Sequence, residues 1–313
     1  MTGAVALVAG GLVLLTLAAD RLVLSAARLS RLWGMSAVLI GALVIGMGTS
    51  LPEFLVSSLA AARGEMDLAM GNIIGSNVAN LSLVLGVSVI ILPVAGHLHT
   101  IRREGILMLA AVVAFGIAAW GGAIMRLEAW MLLVGVALSA WLLVRWSHQD
   151  IAEGIVTIDV DDLAPPGRGA AVEIVIGVLA LGVTLGGADL LLRGARIVAS
   201  ELGLSQGFIG LSLVAVGTSL PELATGIAAA RRRENALVIG NVLGSNLFNS
   251  LGVAGTAALA GGTFTTDFRA PIVFMIAIST LAGILTATGN RLVRWEGAIL
   301  VAAFAGFLTL GIR

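Results

Sequence analysis

The chain has 313 residues, of which 58% are hydrophobic and only 12% charged, and its mean hydropathy is +1.06. A soluble domain of this length carries far more surface charge, so the composition predicts an integral membrane protein that is mostly helical. The formal net charge of zero argues against a nucleic-acid partner. Because the chain has no cysteine, disulfide and thiol chemistry are excluded.

Apolar stretches long enough to cross a bilayer recur along the whole chain. A membrane-spanning helix needs about 20 apolar residues. The first stretch lacks a basic segment before it, so we expect a retained helix rather than a cleaved signal peptide. Ten transmembrane helices are predicted, near residues 3–30, 37–62, 68–93, 104–121, 127–146, 171–199, 208–230, 235–260, 270–288 and 295–312.

Two polar motifs occur twice, each time 169 positions apart. GTSLPE at 48–53 returns at 217–222, and GNIIGSN at 71–77 returns as GNVLGSN at 240–246. A shared offset predicts a duplicated unit, with motif regions at 46–58 and 71–80 in the first copy and at 215–226 and 240–249 in the second.

The duplication divides the chain into three parts. A first transmembrane repeat is expected at 1–146, a hydrophilic linker at 147–170 and a second transmembrane repeat at 171–313. Because each repeat has five predicted spans, an odd number, the second must enter the membrane from the opposite side. This is the inverted-repeat plan of many secondary transporters.

The arginines predict the orientation of the chain. All 18 basic residues are arginine, and most of them follow odd-numbered spans. Positively charged loops face the cytoplasm. We therefore expect a cytoplasmic linker, with both termini on the outer side.

The second predicted span combines oxygen donors with a weakened helix. Thr49 and Glu53 are four residues apart and share a face, with Ser50 beside them. Pro52 removes a backbone donor and loosens the carbonyls before it. Such hard oxygen donors suit Na⁺ or Ca²⁺. The seventh span repeats the set as Ala215, Thr218, Ser219, Pro221 and Glu222.

The third and eighth spans each present a polar stripe on one helical face. The stripes consist of Asn72, Ser76 and Asn80, and of Asn241, Ser245 and Asn249. Folded together, the four motif spans would surround one site near the middle of the membrane, where Glu53 and Glu222 balance the charge of one Ca²⁺. Two carboxylates so close together also predict competition by protons.

A small-residue face in a transmembrane helix usually serves packing. An intramembrane carboxylate without a nearby arginine in its own span points instead to function. Asp20 and Asp189 lie in the first span of each half, and Asp189 has Arg193 four residues later. For this pair we expect a structural or gating role.

These motifs resemble the two α-repeats of the Ca²⁺/cation antiporter superfamily, in particular those of prokaryotic sodium/calcium exchangers. The resemblance covers the whole membrane region. It implies antiport by alternating access in a plasma (inner) membrane, with spans one and six sliding past the others. Inorganic cations and the lipid bilayer are the implied partners, and neither a cofactor, an enzymatic activity nor a protein partner is implied.

The resemblance also implies roles for single positions. The Ca²⁺ site would use Glu53, Glu222, Thr49 and Thr218. Flanking Na⁺ sites would use Ser50, Ser76, Ser219 and Ser245 together with the carbonyls of Gly46 and Ala215, while Asn80 and Asn249 would lie at the centre. Asn72 and Asn241 would be secondary or gating residues.

One departure from the family pattern leaves the coupling ion open. In these exchangers one of the two central asparagine positions is an aspartate, whereas here both Asn80 and Asn249 are amides. A carboxylate is therefore missing, and H⁺-coupled Ca²⁺ antiport stays the first alternative to Na⁺ coupling. A cation channel that uses the same oxygens is the second.

Overall fold

A computed structural model describes residues 2–95, 98–153, 169–201, 214–261, 263–288 and 291–310. Every predicted span coincides with a helical segment, although the start of the seventh prediction, from 208 to 213, lies outside the described residues. The segments are α1 (Thr2–Trp33), α2a (Ala37–Thr49), α2b (Leu51–Ala62), α3 (Met66–Ile91), α4 (Leu98–Ala119), α5 (Arg126–Ala152), α6 (Ala170–Glu201), α7a (Val214–Thr218), α7b (Leu220–Arg231), α8 (Asn235–Ala260), α9 (Arg269–Thr288) and α10 (Arg294–Leu310).

Length and composition qualify many of these helices as membrane spans. In the described part of the chain, six helices are each long and apolar enough to cross a membrane: α1, α3, α5, α6, α8 and α9. If the bent pair α2a and α2b is taken as one further span, the total is seven. Helix α4 carries three consecutive charges near its start, at 102–104, and α10 is only 17 residues long. The chain is therefore a polytopic, mostly helical membrane protein.

The distribution of side chains is that of a protein dissolved in lipid. Trp130 and Val134 on α5 are 58% and 64% exposed, whereas Glu53, Asn80 and Asn249 are completely buried. Hydrocarbon solvates apolar side chains but offers no partner to polar ones. The polar residues therefore gather inside the helix bundle.

Helices α1 and α6 cross closely and run antiparallel. A Cβ atom at Gly11 would lie 2.5 Å from the backbone nitrogen of Leu191, and one at Gly187 would lie 2.7 Å from that of Leu15. Small residues let transmembrane backbones approach in this way. At the other end of the pair, Glu173 binds Arg28 at 2.8 Å and accepts a hydrogen bond from Ser25 at 3.1 Å.

Glycines also allow the repeats to meet at the centre, where α2a crosses α8. A Cβ atom at Gly46 would lie 2.7 Å from the carbonyl oxygen of Asn241 and 2.8 Å from the nitrogen of Ser245. A Cβ atom at Gly240 would lie 2.3 Å from the carbonyl oxygen of Val38 and 2.9 Å from the backbone nitrogen of Ala42. These contacts join the second span, which belongs to the first repeat, to the eighth span, which belongs to the second repeat.

Both helices with the GTSLPE motif break at the same motif position. Helix α2a ends at Thr49 and α2b starts at Leu51, with a bend of 44° between them. Helix α7a ends at Thr218 and α7b starts at Leu220. The break at Ser50 and Ser219 follows from the proline two residues later, which cannot donate a backbone hydrogen bond. The predicted weakening of these helices is confirmed.

Helix α5 is longer than predicted. It continues to Ala152, so residues 147–152 are helical instead of beginning the linker. The polar side chains there have partners: the Ser147 hydroxyl accepts a hydrogen bond from the Ser36 backbone at 2.9 Å, and Asp150 pairs with Arg103 at 2.6 Å. The predicted linker residues 154–168 lie outside the described part of the chain.

A short antiparallel ribbon accompanies the helices. Strand β1 (Val94–Ala95) pairs with β2 (Arg291–Leu292). The ribbon joins the connection between α3 and α4 to the connection between α9 and α10. It was not predicted, because two-residue strands leave no periodic pattern in the sequence.

The crossing of α2a and α8 can be tested with one methyl group. We expect Gly240→Ala to lower the free energy of unfolding by about 1–3 kcal/mol, because the new Cβ would meet backbone atoms that cannot yield. Gly283→Ala on α9 is the matched control, since nothing lies within 4 Å of its Cβ position. Thermal unfolding of the purified protein measures both, and equal effects would contradict the close crossing.

Candidate functional site

Glu53 and Glu222 lie together at the centre of the bundle. Both are buried, with 0% and 1% exposure. Ser50 donates a hydrogen bond to Oε1 of Glu222 at 2.8 Å, and Ser219 donates one to Oε1 of Glu53 at 3.3 Å. Each carboxylate is thus held by the serine at the helix break of the other repeat. The two GTSLPE motifs therefore build one site.

The two carboxylates retain free binding capacity. Atom Oε2 of each glutamate has no hydrogen-bond partner among the described residues. No arginine pairs with either of them in that part of the chain, where the ion pairs involve other acids. A buried carboxylate without a counter-charge is costly. This pair is therefore suited to a cation from outside the protein.

Asn72 and Asn241 support the broken helices. Asn72 donates to the carbonyl of Glu53 at 3.4 Å and to the hydroxyl of Ser57 at 2.9 Å. Asn241 donates to the carbonyl of Glu222 and to the hydroxyl of Thr225, both at 3.2 Å. A carbonyl oxygen has two lone pairs, so it can accept this hydrogen bond in addition to the one within its helix. Each asparagine thereby fixes the position of one glutamate.

Asn80 and Asn249 differ from the other polar residues. Both are completely buried, and the side-chain nitrogen and oxygen of each lack partners among the described residues. They lie in π-helical turns, Asn80–Val84 and Phe248–Val253. Such turns are frequent at functional sites. Their amide oxygens are therefore free to serve as the neutral ligands that the sequence predicts for these two positions.

The residues expected to flank the centre are only partly brought together. Ser245 donates a hydrogen bond to the carbonyl of Gly46 at 3.0 Å, so this predicted pair is in contact. The buried hydroxyl of Ser76 has no partner in the described part. Ala215 lies in α7a, and its side chain is outside the described part of the structure. The structure thus shows the Ser245–Gly46 contact of one predicted flanking site, and the corresponding contact of Ser76 is not made within the described residues.

The two motif threonines are buried beside the breaks. Thr49 donates to the carbonyl of Ile45 at 2.9 Å, which leaves its oxygen able to accept. Thr218 donates to Oδ1 of Asn72 at 3.3 Å. The second contact ties α7a of one repeat to α3 of the other.

Asp20 and Asp189 lie apart from this centre and differ from each other. Asp189 pairs with Arg193 at 2.7 Å on the exposed side of α6, as the sequence spacing predicts. Asp20 forms two hydrogen bonds, of 2.6 and 2.5 Å, with Arg232 in the turn after α7b. That cross-repeat ion pair was not predicted.

Sequence reasoning also missed the partners Ser57 and Thr225. They do not occupy equivalent repeat positions, because the offset of 169 places Gly226 opposite Ser57 and Val56 opposite Thr225. The involvement of Arg232 could have been predicted from the sequence. The same offset relates Arg63 to Arg232 just as it relates Asp20 to Asp189.

The chemistry of the centre is that of a hard-cation site. Among the described residues, no group of three or more histidine, cysteine, aspartate or glutamate residues is placed to hold a metal. The centre offers two carboxylates surrounded by hydroxyl, amide and carbonyl oxygens. That set suits Ca²⁺ or Na⁺ and is poor for metals that need nitrogen or sulfur ligands.

Comparisons with known proteins show the family to which the chain is related. The sequence matches the family model described as sodium/calcium exchanger protein over residues 3–145 and 172–313. The inner membrane protein YrbG of Escherichia coli is 36% identical over 82% of this chain and 79% of that protein. The sodium/calcium exchanger MaX1 of Methanosarcina acetivorans is 29% identical over 96% of each chain.

A solved structure is also similar. The sodium-calcium exchanger NCX_Mj, soaked with 10 mM Na⁺ and 10 mM Sr²⁺, superposes with a TM-score of 0.85 at 28% identity, covering 98% of each chain. The likeness therefore extends over both halves of the fold.

The cost of the bare carboxylates can be measured. We expect Glu53→Gln and Glu222→Gln to raise the free energy of unfolding of the ion-free protein at pH 8 by about 1 kcal/mol or more, because each removes a buried charge. Added Ca²⁺ should stabilise the unmodified protein by about 2.7 kcal/mol at a hundredfold excess over Kd, but should not stabilise either variant.

Thermal unfolding in detergent with and without Ca²⁺ measures both effects. Glu65→Gln, in the exposed turn after α2b, is the control and should change neither. If Ca²⁺ still stabilised both glutamine variants fully, the two carboxylates would not be its ligands.

Proposed function

The chain belongs to the sodium/calcium exchanger family, and on this premise we propose that it is a secondary active antiporter that exchanges Ca²⁺ for Na⁺ across the plasma membrane. One observation carries the proposal. Glu53 and Glu222, one from each repeat, are buried together without a cationic partner in the described chain, and each keeps a free oxygen. Family members are transporters rather than enzymes.

Charge and coordination number favour Ca²⁺ at the centre. Ca²⁺ takes six to eight oxygen ligands, and the two glutamates neutralise it. The proposed Ca²⁺ ligands are the oxygens of Glu53, Glu222, Thr49 and Thr218. The proposed Na⁺ ligands are the hydroxyls of Ser50, Ser76, Ser219 and Ser245 and the carbonyls of Gly46 and Ala215, with Asn80 and Asn249 between the sites.

Competition for the glutamates couples the two ions. A site with two uncompensated carboxylates is costly to enclose in a low-dielectric interior. Once Ca²⁺ or Na⁺ neutralises it, the site can pass through an occluded state. The exchange is therefore obligatory, because the ion-free site stays open to one side.

The proposed architecture is ten spans in two inverted five-helix repeats. The turns after α2b and α7b support it, since they have the same form at an offset of 169 residues. Gly64 has φ of 79° and Arg233 has φ of 60°, and the residue after each donates a 2.9 Å hydrogen bond back into its helix. In the proposed cycle α1 and α6 slide along the four motif spans.

The orientation in the membrane is proposed from the arginines. The turn at 231–233 and the linker at 147–170 would be cytoplasmic, and both termini would face outward. Asp20 with Arg232 would then lie on the cytoplasmic side, and Asp189 with Arg63 on the outer side.

The exchange itself is tested in proteoliposomes. We expect Ca²⁺ uptake into vesicles loaded with Na⁺ and none into vesicles that carry only an outward H⁺ gradient. Glu53→Gln or Glu222→Gln should slow uptake at least about 100-fold, because each removes one of the two negative charges that neutralise Ca²⁺ in the site, and a buried charge left without its partner costs about 3–5 kcal/mol. Glu65→Gln should leave uptake unchanged.

Each alternative gives a different result in the same assay. Uptake driven only by H⁺ would make the protein a proton-coupled antiporter. Ca²⁺ conductance without a counter-ion would indicate a channel. Normal uptake by either glutamine variant would contradict the proposal that the two glutamates form the transport site.

The gating role of Asp20 and Asp189 rests on an asymmetry. Asp20 pairs with Arg232, but the equivalent Arg63 forms no ion pair within the described residues, and Asp189 pairs with its neighbour Arg193. Helix α1 packs along α7b, whereas α6 has no comparable packing along α2b. In an inverted repeat the opposite state exchanges these roles. An Asp189–Arg63 pair should therefore close the outer side when Asp20–Arg232 opens.

Paired cysteines test this alternation, since the natural chain has none. We expect oxidation to cross-link D20C with R232C in one state and D189C with R63C in the other. Either cross-link should stop exchange, and reduction should restore it. In a variant with all four cysteines, formation of one cross-link should prevent the other. Simultaneous formation of both would contradict alternating closure.

A further inference from the structure

A cavity of about 270 Å³ lies between α1 and the turn after α7b, away from the central site. It is lined by Leu24, Ala27 and Arg31 of α1 and by Arg231, Arg232, Arg233 and Glu234 of the turn. The volume is just below the range of about 300–1,000 Å³ that is typical of whole small-molecule pockets. The cavity is therefore sized for a compact group rather than for a large ligand.

The charges around the cavity do not balance. Arg232 is engaged by Asp20, and Arg31 has only a long contact of 3.5 Å with Glu234. Burial raises the pKa of the Glu234 carboxyl, while Arg31 and Arg232 act in the opposite direction. The four arginines of the lining thus outnumber the two nearby carboxylates, Glu234 and Asp20, and Arg231 and Arg233 show no ion pair within the described residues. An anion would compensate this excess of positive charge.

The equivalent turn of the first repeat lacks this excess of arginines. Its residues are Arg63, Gly64 and Glu65, with glycine at the position of positive φ. Here Arg233 occupies that position with φ of 60°, which L-residues rarely adopt. A side chain held in an unfavourable backbone conformation suggests a use for it. The second repeat therefore has an additional basic group where glycine would suit the backbone better.

The neighbouring residues place the cavity at the depth of lipid headgroups. Helix α1 ends at Leu32 and Trp33, which are 49% and 42% exposed. Tryptophan is enriched where a transmembrane helix leaves the hydrocarbon region. Arg31 lies beside these residues, and Leu24 is two turns deeper along the helix. Basic pockets between transmembrane helices on the cytoplasmic side bind phosphorylated headgroups.

We infer that this cavity binds the phosphate group of an anionic phospholipid from the surrounding leaflet. Arg231 and Arg233 contact the phosphate, since Arg232 is already held by Asp20. Guanidinium groups form paired hydrogen bonds with phosphate oxygens, and the apolar side chains of α1 face the acyl chains. A free phosphate ion offers the same oxygens but lacks the acyl chains. The inference is independent of the ions that the central site transports.

The test measures lipid binding to the full chain in detergent after delipidation. Calorimetric titration compares dioctanoylphosphatidylglycerol, dioctanoylphosphatidylcholine and inorganic phosphate. We expect the phosphatidylglycerol to bind at least about tenfold more tightly than the other two. The double variant R231Q/R233Q should weaken its binding by about 30-fold, or about 2 kcal/mol at 1.4 kcal/mol per tenfold.

R291Q/R294Q is the matched control, since it removes two exposed arginines predicted to lie on the same side of the membrane. It should bind like the unmodified protein, whereas R231K/R233K, which keeps the charge but loses the paired hydrogen bonds, should bind with an affinity between those of R231Q/R233Q and the unmodified protein. Thermal unfolding establishes that each variant is folded. Binding by R231Q/R233Q that equals the control would overturn the site. Equal affinity for inorganic phosphate and phosphatidylglycerol would overturn the lipid as the source of the phosphate.

Discussion

The structure rests on one constraint: two carboxylates lie in a low-dielectric interior, and no arginine among the described residues pairs with them. Glu53 and Glu222 are both buried, and each accepts a hydrogen bond from a serine hydroxyl of the opposite repeat. One oxygen of each glutamate has no hydrogen-bond partner in the described part of the chain. The energy required to hold that state makes cation binding favourable, and it also opposes enclosing the site while it is empty.

The surrounding polar residues limit this cost without removing it. The breaks at Ser50 and Ser219 let motif hydroxyls turn toward the glutamates, and Asn72 and Asn241 bind the carbonyls of the two glutamates. Glycines along α2a and α8 let the backbones meet closely enough for Ser245 to donate a hydrogen bond to the carbonyl of Gly46. In the proposed site Asn80 and Asn249 would contribute neutral oxygens, which add coordination without adding charge. Local helix defects and close packing thus serve the same site.

Away from the centre the two repeats are not equivalent. Asp20 joins α1 to the turn after α7b, whereas Asp189 stays on its own helix. The same turn carries three consecutive arginines, and the corresponding turn of the first repeat carries one. At the centre, by contrast, the two glutamates have reciprocal serine contacts. The proposed lipid contact concerns only the turn with three arginines, so it would distinguish one side of the protein from the other.

The membrane class, the positions of the helices, the repeated motifs and their polar residues could all be predicted from the sequence. These follow from apolar length, from proline and glycine within the spans, and from a repeated offset, all of which are local properties of the chain. Which groups contact each other became known from the folded structure. The Ser50–Glu222 contact, the Asp20–Arg232 pair and the helical course of residues 147–152 each depend on a partner far away in sequence. Ser57 and Thr225 were not predicted. Their hydroxyls accept equivalent hydrogen bonds from Asn72 and Asn241, but the two residues do not occupy equivalent positions in the repeats. Spacing along a helix defines the face on which a side chain lies, but the packing of the helices determines what that face contacts.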